Sequence, residues 1–509
     1  MKAPFLILLL LISVNPKLTS KDTYPTRHSI KGIQPDFQDP NQLIGNAVHG
    51  VAFNFVWSIW QPTQTASCGD GQVFYDGNCF SVQQSTVNHI RAYTDAGVVV
   101  TGVIYGVPDW ARRPCPSSAV TSTIFCAPND VNALDYGRFA GFIAYYFNGE
   151  NGNGRVADFV IHNEVNSPMW FNINCSGLSC KYDHLDTWVA TYALSYNNAY
   201  DFIKREQQQG KVLISFEHHF GTEWDYNDSL NEVSVQTFLT KLAPHLGDRE
   251  WKLAYHSYPP NLGVPTFGPN DWPRVTFGNI GVVVGWLMKT FPDRPQSWEV
   301  QLTENGINGP DYYYEEQRNY LCKAFRNILG TPYVTSFIYH RLVDIAEEGV
   351  NLGLWTSDKS MKPAWALYAC ANRDIECAGS NDWPACGFEH EGFTVMKRGY
   401  NGMHWVSTRM FEGGVSTEGQ WKLLREHKSG TTMVYECKVG DGHSIISKDP
   451  GCEGQFPMGP MGYIYDSHVD GTEAIYRCYD PNSGDHLISS DSNCEGYNVE
   501  WKVGYAYTM

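Results

Sequence analysis

Two glutamates stand out because each closes an apolar run. Val156-Ala-Asp-Phe-Val-Ile161 stops at His162-Asn-Glu164, and Trp298-Glu-Val-Gln-Leu-Thr303 stops at Glu304-Asn305. Short runs rich in β-branched and aromatic residues, with turn residues before them (Asn151-Gly-Asn-Gly154), read as buried strands. A carboxylate just past such a strand lies at its C-terminal end, where a barrel of parallel strands carries its chemistry. Two carboxyls facing one another there can break a glycosidic bond. One protonates the leaving oxygen, and the other faces the anomeric carbon. Glu164 and Glu304 are therefore the candidate catalytic residues. Asn163 beside the acid suits a sugar hydroxyl, and His256 and Tyr258, next to the Glu304 strand, are expected to hold Glu304 ionised. Trp110, Trp170 and Trp355, at or beyond strand ends, are candidate stacking faces for sugars, and His340 is a candidate substrate contact. Glu217-His218-His219 is expected on the rim or against substrate, and Glu347 and Glu348 in a solvated loop.

These residues need a scaffold, and the chain supplies eight strand-like runs alternating with helical ones. The strands fall near 29–33, 51–57, 98–104, 156–161, 212–216, 251–258, 298–304 and 333–339. Helices are expected at 82–96, 131–147, 185–204, 233–242, 275–291, 313–329 and 363–370. Alternation at this count points to parallel strands joined by crossovers, hence an α/β chain folded as a (β/α)8 TIM barrel. An open doubly wound sheet is the competing architecture, but the first strand is followed by no glycine-rich phosphate loop.

Residues 1–20 read as a secretory signal peptide, opening with Lys2, then an apolar stretch, and reaching small residues at Thr19-Ser20. Fourteen cysteines fit an oxidising compartment. Short separations suggest the pairs Cys68/Cys79, Cys115/Cys126, Cys175/Cys180, Cys377/Cys386, Cys437/Cys452 and Cys478/Cys494, leaving Cys322 with Cys370. The Cys68–Cys79 region reads as a pinned loop outside the core. No CxxC or HExxH spacing appears, so neither metal nor other cofactor is expected. Asn174-Cys-Ser and Asn227-Asp-Ser are glycosylation sequons. A net charge of −17 argues against nucleic acid or an anionic membrane surface as partner.

Beyond residue 371 the texture changes. A cysteine-bearing linker, 372–391, leads into three copies of a repeat of about 40 residues. Its marks are His404-Trp-Val-Ser407, His443-Ser-Ile-Ile-Ser447 and His486-Leu-Ile-Ser489, with Cys452-Glu-Gly454 and Cys494-Glu-Gly496 closing two of them. The expectation is a barrel at 21–371 and a small all-β, β-trefoil-like module at 392–509 that binds glycan.

His162-Asn-Glu-Val-Asn166 and Leu302-Thr-Glu-Asn-Gly306 resemble the acid/base and nucleophile segments of clan A glycoside hydrolases. The ordered set Lys31-Gly-Ile33, Asn163 to Ser167, Ala254-Tyr-His-Ser-Tyr-Pro259, Thr303-Glu304, Tyr339 to Asp344 and Leu352 to Trp355 more closely resembles a family of secreted, mostly bacterial proteins near that clan, filed as a domain of unknown function. The first resemblance implies a retaining mechanism with Glu164 as acid/base and Glu304 as nucleophile. His162 departs from the small or apolar residue usual two before the acid/base, and a changed subsite shape is expected from it. The repeats also resemble a His-containing secreted repeat domain. Together these readings imply a secreted, monomeric glycosidase acting on a β-linked polysaccharide or glycoconjugate. The rival reading is a lectin-like or matrix protein on a hydrolase scaffold.

Overall fold

A computed structural model describes residues 21–369 and 392–509, apart from His28, Ala47, Asp228 and Asp441. The expected signal peptide, the linker with Cys377 and Cys386, and Cys370, the expected partner of Cys322, lie outside the described residues. Eight strands close a parallel barrel: β1 (Lys31–Ile33), β2 (Gly50–Val56), β3 (Val99–Tyr105), β4 (Asp158–Ile161), β5 (Lys211–Phe216), β6 (Lys252–Tyr255), β7 (Val300–Asn305) and β8 (Val334–Tyr339). Each is followed by a helix: α1 (Pro40–Ile44), α2 (Gln84–Asp95), α3 (Ala133–Tyr146), α4 (Leu185–Glu206), α5 (Val235–Leu242), α6 (Gly281–Thr290), α7 (Tyr314–Leu329) and α8 (Pro363–Tyr368). The architecture is the TIM barrel expected from the alternation.

Alternation along the short strands divides the core. Val160, Leu213 and Ala254 form a small cluster of their own. Phe159, Ile161, Val212 and Ile214 join the large layer shared with the helices. At the opposite end from the strand C-termini the N-terminal segment seals the barrel. The Tyr24 hydroxyl donates to both Asp158 carboxylate oxygens (2.8 and 3.0 Å), and Arg27 pairs with Asp158 at 2.7 Å and donates to Ser336 Oγ.

Two local expectations are corrected. The Cys68–Cys79 region is no bare loop: Gln72–Tyr75 and Asn78–Ser81 form a hairpin whose Phe80 stacks on Phe142 of α3 with ring centroids 4.4 Å apart. Its apolar side chains are tied to the core by burial. The helix expected from Val275 starts only at Gly281. Thr276 N–H donates to Asn279 Oδ1 (2.8 Å) and Gly278 N–H to Thr276 Oγ1 (3.1 Å), so side chains take over bonds a helix would use. Gly278 also passes so close to Gly268 that a Cβ would lie 2.1 Å from the Gly268 oxygen.

The C-terminal part is a separate antiparallel domain with three strands per repeat. These are β9 (Phe393–Tyr400), β10 (His404–Ser407) and β11 (Ser416–Leu424), then β12 (Thr431–Val439), β13 (His443–Ser447) and β14 (Phe456–Tyr465), then β15 (Thr472–Asp480), β16 (Asp485–Ser489) and β17 (Asn498–Thr508). The first strand of each repeat pairs with the other two. Ladder partners Lys397↔Ser407, Tyr435↔Ser447 and Tyr476↔Ser489 make His404 and His486 equivalent, whereas His443 sits one position earlier and Ser444 takes the shared place. The sequence period alone had misaligned that histidine. Ser447 and Ser489 donate to Glu453 and Glu495 at 2.6 Å, which Arg477 and Arg398 grip from other repeats. The third tie has inverted charge placement, with Arg409 of the first repeat on Glu436 of the second.

This domain docks on α6 and α7. A Cβ on Gly459 would lie 2.1 Å from the Gly281 oxygen, so the backbones touch. Arg409 donates to Gly278 O (3.3 Å), and buried Arg425 donates to the carbonyls of Leu329 and Thr331 at the end of α7. Leu424, Met433, Tyr435 and Tyr463 continue the barrel's apolar cluster, so one core crosses the interface.

Five expected disulfides are formed: Cys68–Cys79, Cys115–Cys126, Cys175–Cys180, Cys437–Cys452 and Cys478–Cys494. Among the described residues no helix is long and apolar enough to cross a membrane.

Candidate active site

Every strand end gives at least one polar side chain to a single cleft of about 660 Å³. Gln34 follows β1, Asn54 lies on β2, Tyr105 ends β3, Asn163 and Glu164 follow β4, and Glu217 and His218 follow β5. Tyr258 follows β6, Glu304 lies in β7, and His340 and Arg341 follow β8. Glu164 and Glu304, far apart in sequence, meet on its floor. One oxygen of each and a ring nitrogen of His256 all lie within 4.8 Å of one another.

The segment carrying Glu164 leaves the strand abruptly, because His162 (φ 59°) and Glu164 (φ 38°) both adopt left-handed backbone, which costs of order 1–3 kcal/mol each. His162 is 2% exposed and stacks on Tyr136 of α3 with centroids 4.2 Å apart, and Phe171 lies 4.7 Å away. Its expected influence on a subsite is therefore corrected: it is a core side chain, and burial pushes its imidazole down to about 3, leaving it neutral.

The electrostatics separate the two glutamates. Burial raises the Glu164 carboxyl above its ordinary value, outweighing the bond from His256, and nearby Glu304 and Glu217 add to the rise. Burial also acts on Glu304, but His256, His340, the Tyr258 hydroxyl and Arg341 outweigh it and bring Glu304 below its ordinary value. Tyr258 OH donates to Glu304 Oε1 at 3.0 Å, as the sequence suggested. His256 does not hold Glu304 directly: its Nδ1 lies 2.7 Å from Glu164 Oε1, so it shares a proton with the other carboxyl. Burial would lower His256, but Glu304 and Glu164 raise it above the ordinary histidine value.

Asn163, Trp170 and His340 line the cleft. His340 Nδ1 is fixed by Gln34 Oε1 at 2.6 Å. Trp110 and Trp355 are not among the lining residues. Trp110 packs edge-on against Trp57 (5.3 Å) and donates to Gln61 O. Trp355 is 4% exposed and packs on Trp365 (5.2 Å), so it has no face for a sugar. Glu347 and Glu348 are exposed in their loop, as expected, and they also line the cleft, where Glu348 reaches Arg341 (3.3 Å) and His340 (3.5 Å). Sequence reasoning missed Asn54, Tyr105 and Arg341. Their positions at barrel strand ends were the signal that could have found them.

Glu217, His218 and His219 form the other close set of donor atoms in the cleft. Glu217 accepts from Asn166 Nδ2 (2.6 Å) and His219 N–H (3.0 Å), and its carboxylate also lies 2.5 Å from His219 Nδ1. Burial lowers His218 to about 3 and His219 to about 4. Both sets spend donor atoms on one another, an arrangement suited to holding protons and carboxyls in place. Asn174 and Asn227, the sequon asparagines, are exposed.

Solved structures similar to the chain include a family 39 glycoside hydrolase from Bacteroides cellulosilyticus, 12% identical over 96% of this chain and 81% of that one (TM-score 0.46). A glucosidase from Croceicoccus marinus is 12% identical over 69% of each chain (TM-score 0.45). The β-glucosidase of Pyrococcus furiosus is 16% identical over 65% of this chain and 82% of its own (TM-score 0.41). No curated protein matches the sequence. Residues 23–380 match the model of the family of unknown function DUF5722, and the chain belongs to that family.

Proposed function

We propose that the protein is a secreted, retaining glycoside hydrolase that cleaves β-linked polysaccharide or glycoconjugate, with the C-terminal repeats as a β-trefoil-like glycan-binding module. The observation that carries this reading is the carboxyl pair: oxygens of Glu164 and Glu304 within 4.8 Å, with environments pushing one carboxyl up and the other down. Retaining enzymes keep their carboxyls about 5–5.5 Å apart, whereas inverting ones leave room for a water. Glu304 attacks the anomeric carbon while Glu164 gives its proton to the departing oxygen. The glycosyl–Glu304 ester is then cleaved by a water whose proton returns to Glu164. Burial holds the proton on Glu164 at rest, and loss of the Glu304 charge in the ester lets Glu164 act as base. The five disulfides support export, and the exposed Asn174 and Asn227 are acceptors if glycosylation machinery is met.

The test is a panel of β-linked polysaccharides screened for new reducing ends. Glu304→Gln is expected to lose turnover on every substrate while keeping its melting temperature. Glu164→Ala should fail on poor leaving groups, act on activated aryl glycosides, and be rescued by azide with retained configuration. Wild-type activity in both variants would move the chemistry elsewhere.

A further inference from the structure

Glu164 occupies the first position of the tight turn Glu164-Val-Asn-Ser167, closed by Ser167 N–H to Glu164 O at 2.9 Å. Its left-handed φ is held by β5 and the chain that follows. Glu164 N–H donates to Ser215 Oγ (2.9 Å), and Val165 N–H donates to Ser215 O (3.0 Å). The third turn residue, Asn166, is fully buried and uses both ends of its amide. Its Nδ2 donates to Glu217 Oε1 (2.6 Å) and Val233 O (2.9 Å), and its Oδ1 accepts from Glu217 N–H (3.3 Å). Val233 N–H closes the set on Asn166 O at 2.9 Å.

We propose that Glu217 is a positioning residue for Glu164: through Asn166 it fixes the strained turn that carries the acid/base, and its charge faces that carboxyl across the cleft. The inference rests on the glycosidase reading above. A carboxylate is the side chain this place needs. Its two oxygens accept from Asn166 Nδ2 and from His219 N–H, both donors, so an amide would turn its own N–H groups on one of them. Glu217 is 6% exposed, a costly place for a charge unless its partners are fixed. The groups facing Glu164 are His256 and Tyr258 from the end of β6, Glu304 from β7, and Glu217 and His219 from the end of β5. Arg274, in the segment before α6, faces Glu217 and His219. Of these, Glu304 and Glu217 are the negative charges that favour a proton on Glu164, and Glu304 loses its charge in the glycosyl-enzyme. Burial raises the Glu217 carboxyl, against His218, the His219 N–H, Asn166 and Arg274, which favour its charge. It forms no bond to the sugar, so when ionised it biases the same carboxyl in both halves of the reaction.

The test uses the full-length protein and a substrate that wild type cleaves and Glu304→Gln does not, so that a failure of the glycosidase reading is seen first and separately. Glu217→Gln removes the charge. The alkaline limb of kcat/KM against pH is expected to move to lower pH, and kcat on a poor leaving group to fall between about tenfold and a hundredfold, as misplaced catalytic groups do. KM should stay within about twofold. Histidine-selective NMR of the resting protein should show the His256 titration moving down as well, since Glu217 also raises it. Asn166→Asp sets a second carboxyl against Glu217, and the pair, sharing a proton, keeps one negative charge, so kcat should fall with no downward move of the limb. A Glu217→Gln protein with kcat, limb and His256 titration unmoved overturns the proposal, and so does a change confined to KM, which would make Glu217 a substrate contact. If Glu217→Gln does not fold, Asn166→Asp and Ser215→Ala decide: a kcat loss at constant KM supports the proposal, and unchanged kcat in both overturns it.

Discussion

Arg27→Met tests how the barrel is closed at the end away from the cleft. Asp158 begins β4 with no exposure and has three bonds from the N-terminal segment: two from Tyr24 OH and one, at 2.7 Å, from Arg27 Nη2. Methionine keeps much of the arginine stem but removes the charge, the Asp158 bond and the bond to Ser336. At 2.7 Å and an effective dielectric of about 20, the attraction alone is roughly 6 kcal/mol. Part of that offsets the cost of desolvating the guanidinium. Breaking a buried pair from one side typically costs about 3–5 kcal/mol, and the surviving tyrosine bonds place this case near the lower figure. Against a usual total of about 5–15 kcal/mol, that is a large fraction. The assay is urea unfolding at fixed pH, with the midpoint read at unchanged m value. Asp158→Asn and the double variant complete a cycle, and the coupling between the two sites should exceed about 1.5 kcal/mol. A loss in Arg27→Met below about 1 kcal/mol, or additive single variants, would show that the N-terminal segment merely lies against the barrel.

Three further outcomes are expected. The kcat/KM profile should be bell-shaped, its acid limb set by protonation of Glu304, held below the ordinary range, and its alkaline limb by loss of the Glu164 proton, held above it. Tyr258→Phe removes a bond that lowers Glu304 and should carry the acid limb upward. Buried His162 refuses a proton until about pH 3, whereas an unfolded histidine takes one near pH 6.5. The unfolded chain therefore binds the extra proton in that window, and stability falls as pH drops, by up to about 1.4 kcal/mol per pH unit for this residue. Urea midpoints measured against pH should lose that slope in His162→Phe. Gly459→Ala places a Cβ 2.1 Å from the Gly281 oxygen at φ 117°, so thermal unfolding should report a loss of about 3 kcal/mol or more, with wild-type behaviour excluding the close approach.

Much of this molecule was legible in its residue pattern. Strands of parallel barrels are apolar on both faces, which is why Val212 to Phe216 and Val156 to Ile161 could be placed and why a polar residue ending each pointed at the cleft. What escaped depends on contacts between distant segments. Whether His256 serves Glu164 or Glu304 depends on side-chain direction at the end of β6, which spacing does not encode. Trp355 looked like a stacking face because it follows a strand, but its ring is spent on Trp365. The roles of Tyr24 and Arg27 depend on Asp158, more than 130 positions away. The second repeat histidine was misaligned because His443-Ser-Ile-Ile-Ser447 holds one residue more than its counterparts, and only the ladder reveals which position matches.

The docking of the repeats on α6 and α7 turns a question of reach into one of fixed bearing. A module on a flexible tether samples a cloud of distances set by linker length. Here Arg409, Arg425 and the Gly281–Gly459 contact set one distance, whatever the length of the joining chain. If the repeats grip a polymer, the cleft would meet that polymer at one interval from the grip. Products of a long chain would then crowd around a preferred size, whereas a tethered module would leave a broad smear. The molecule would act as a gauge as well as a cutter.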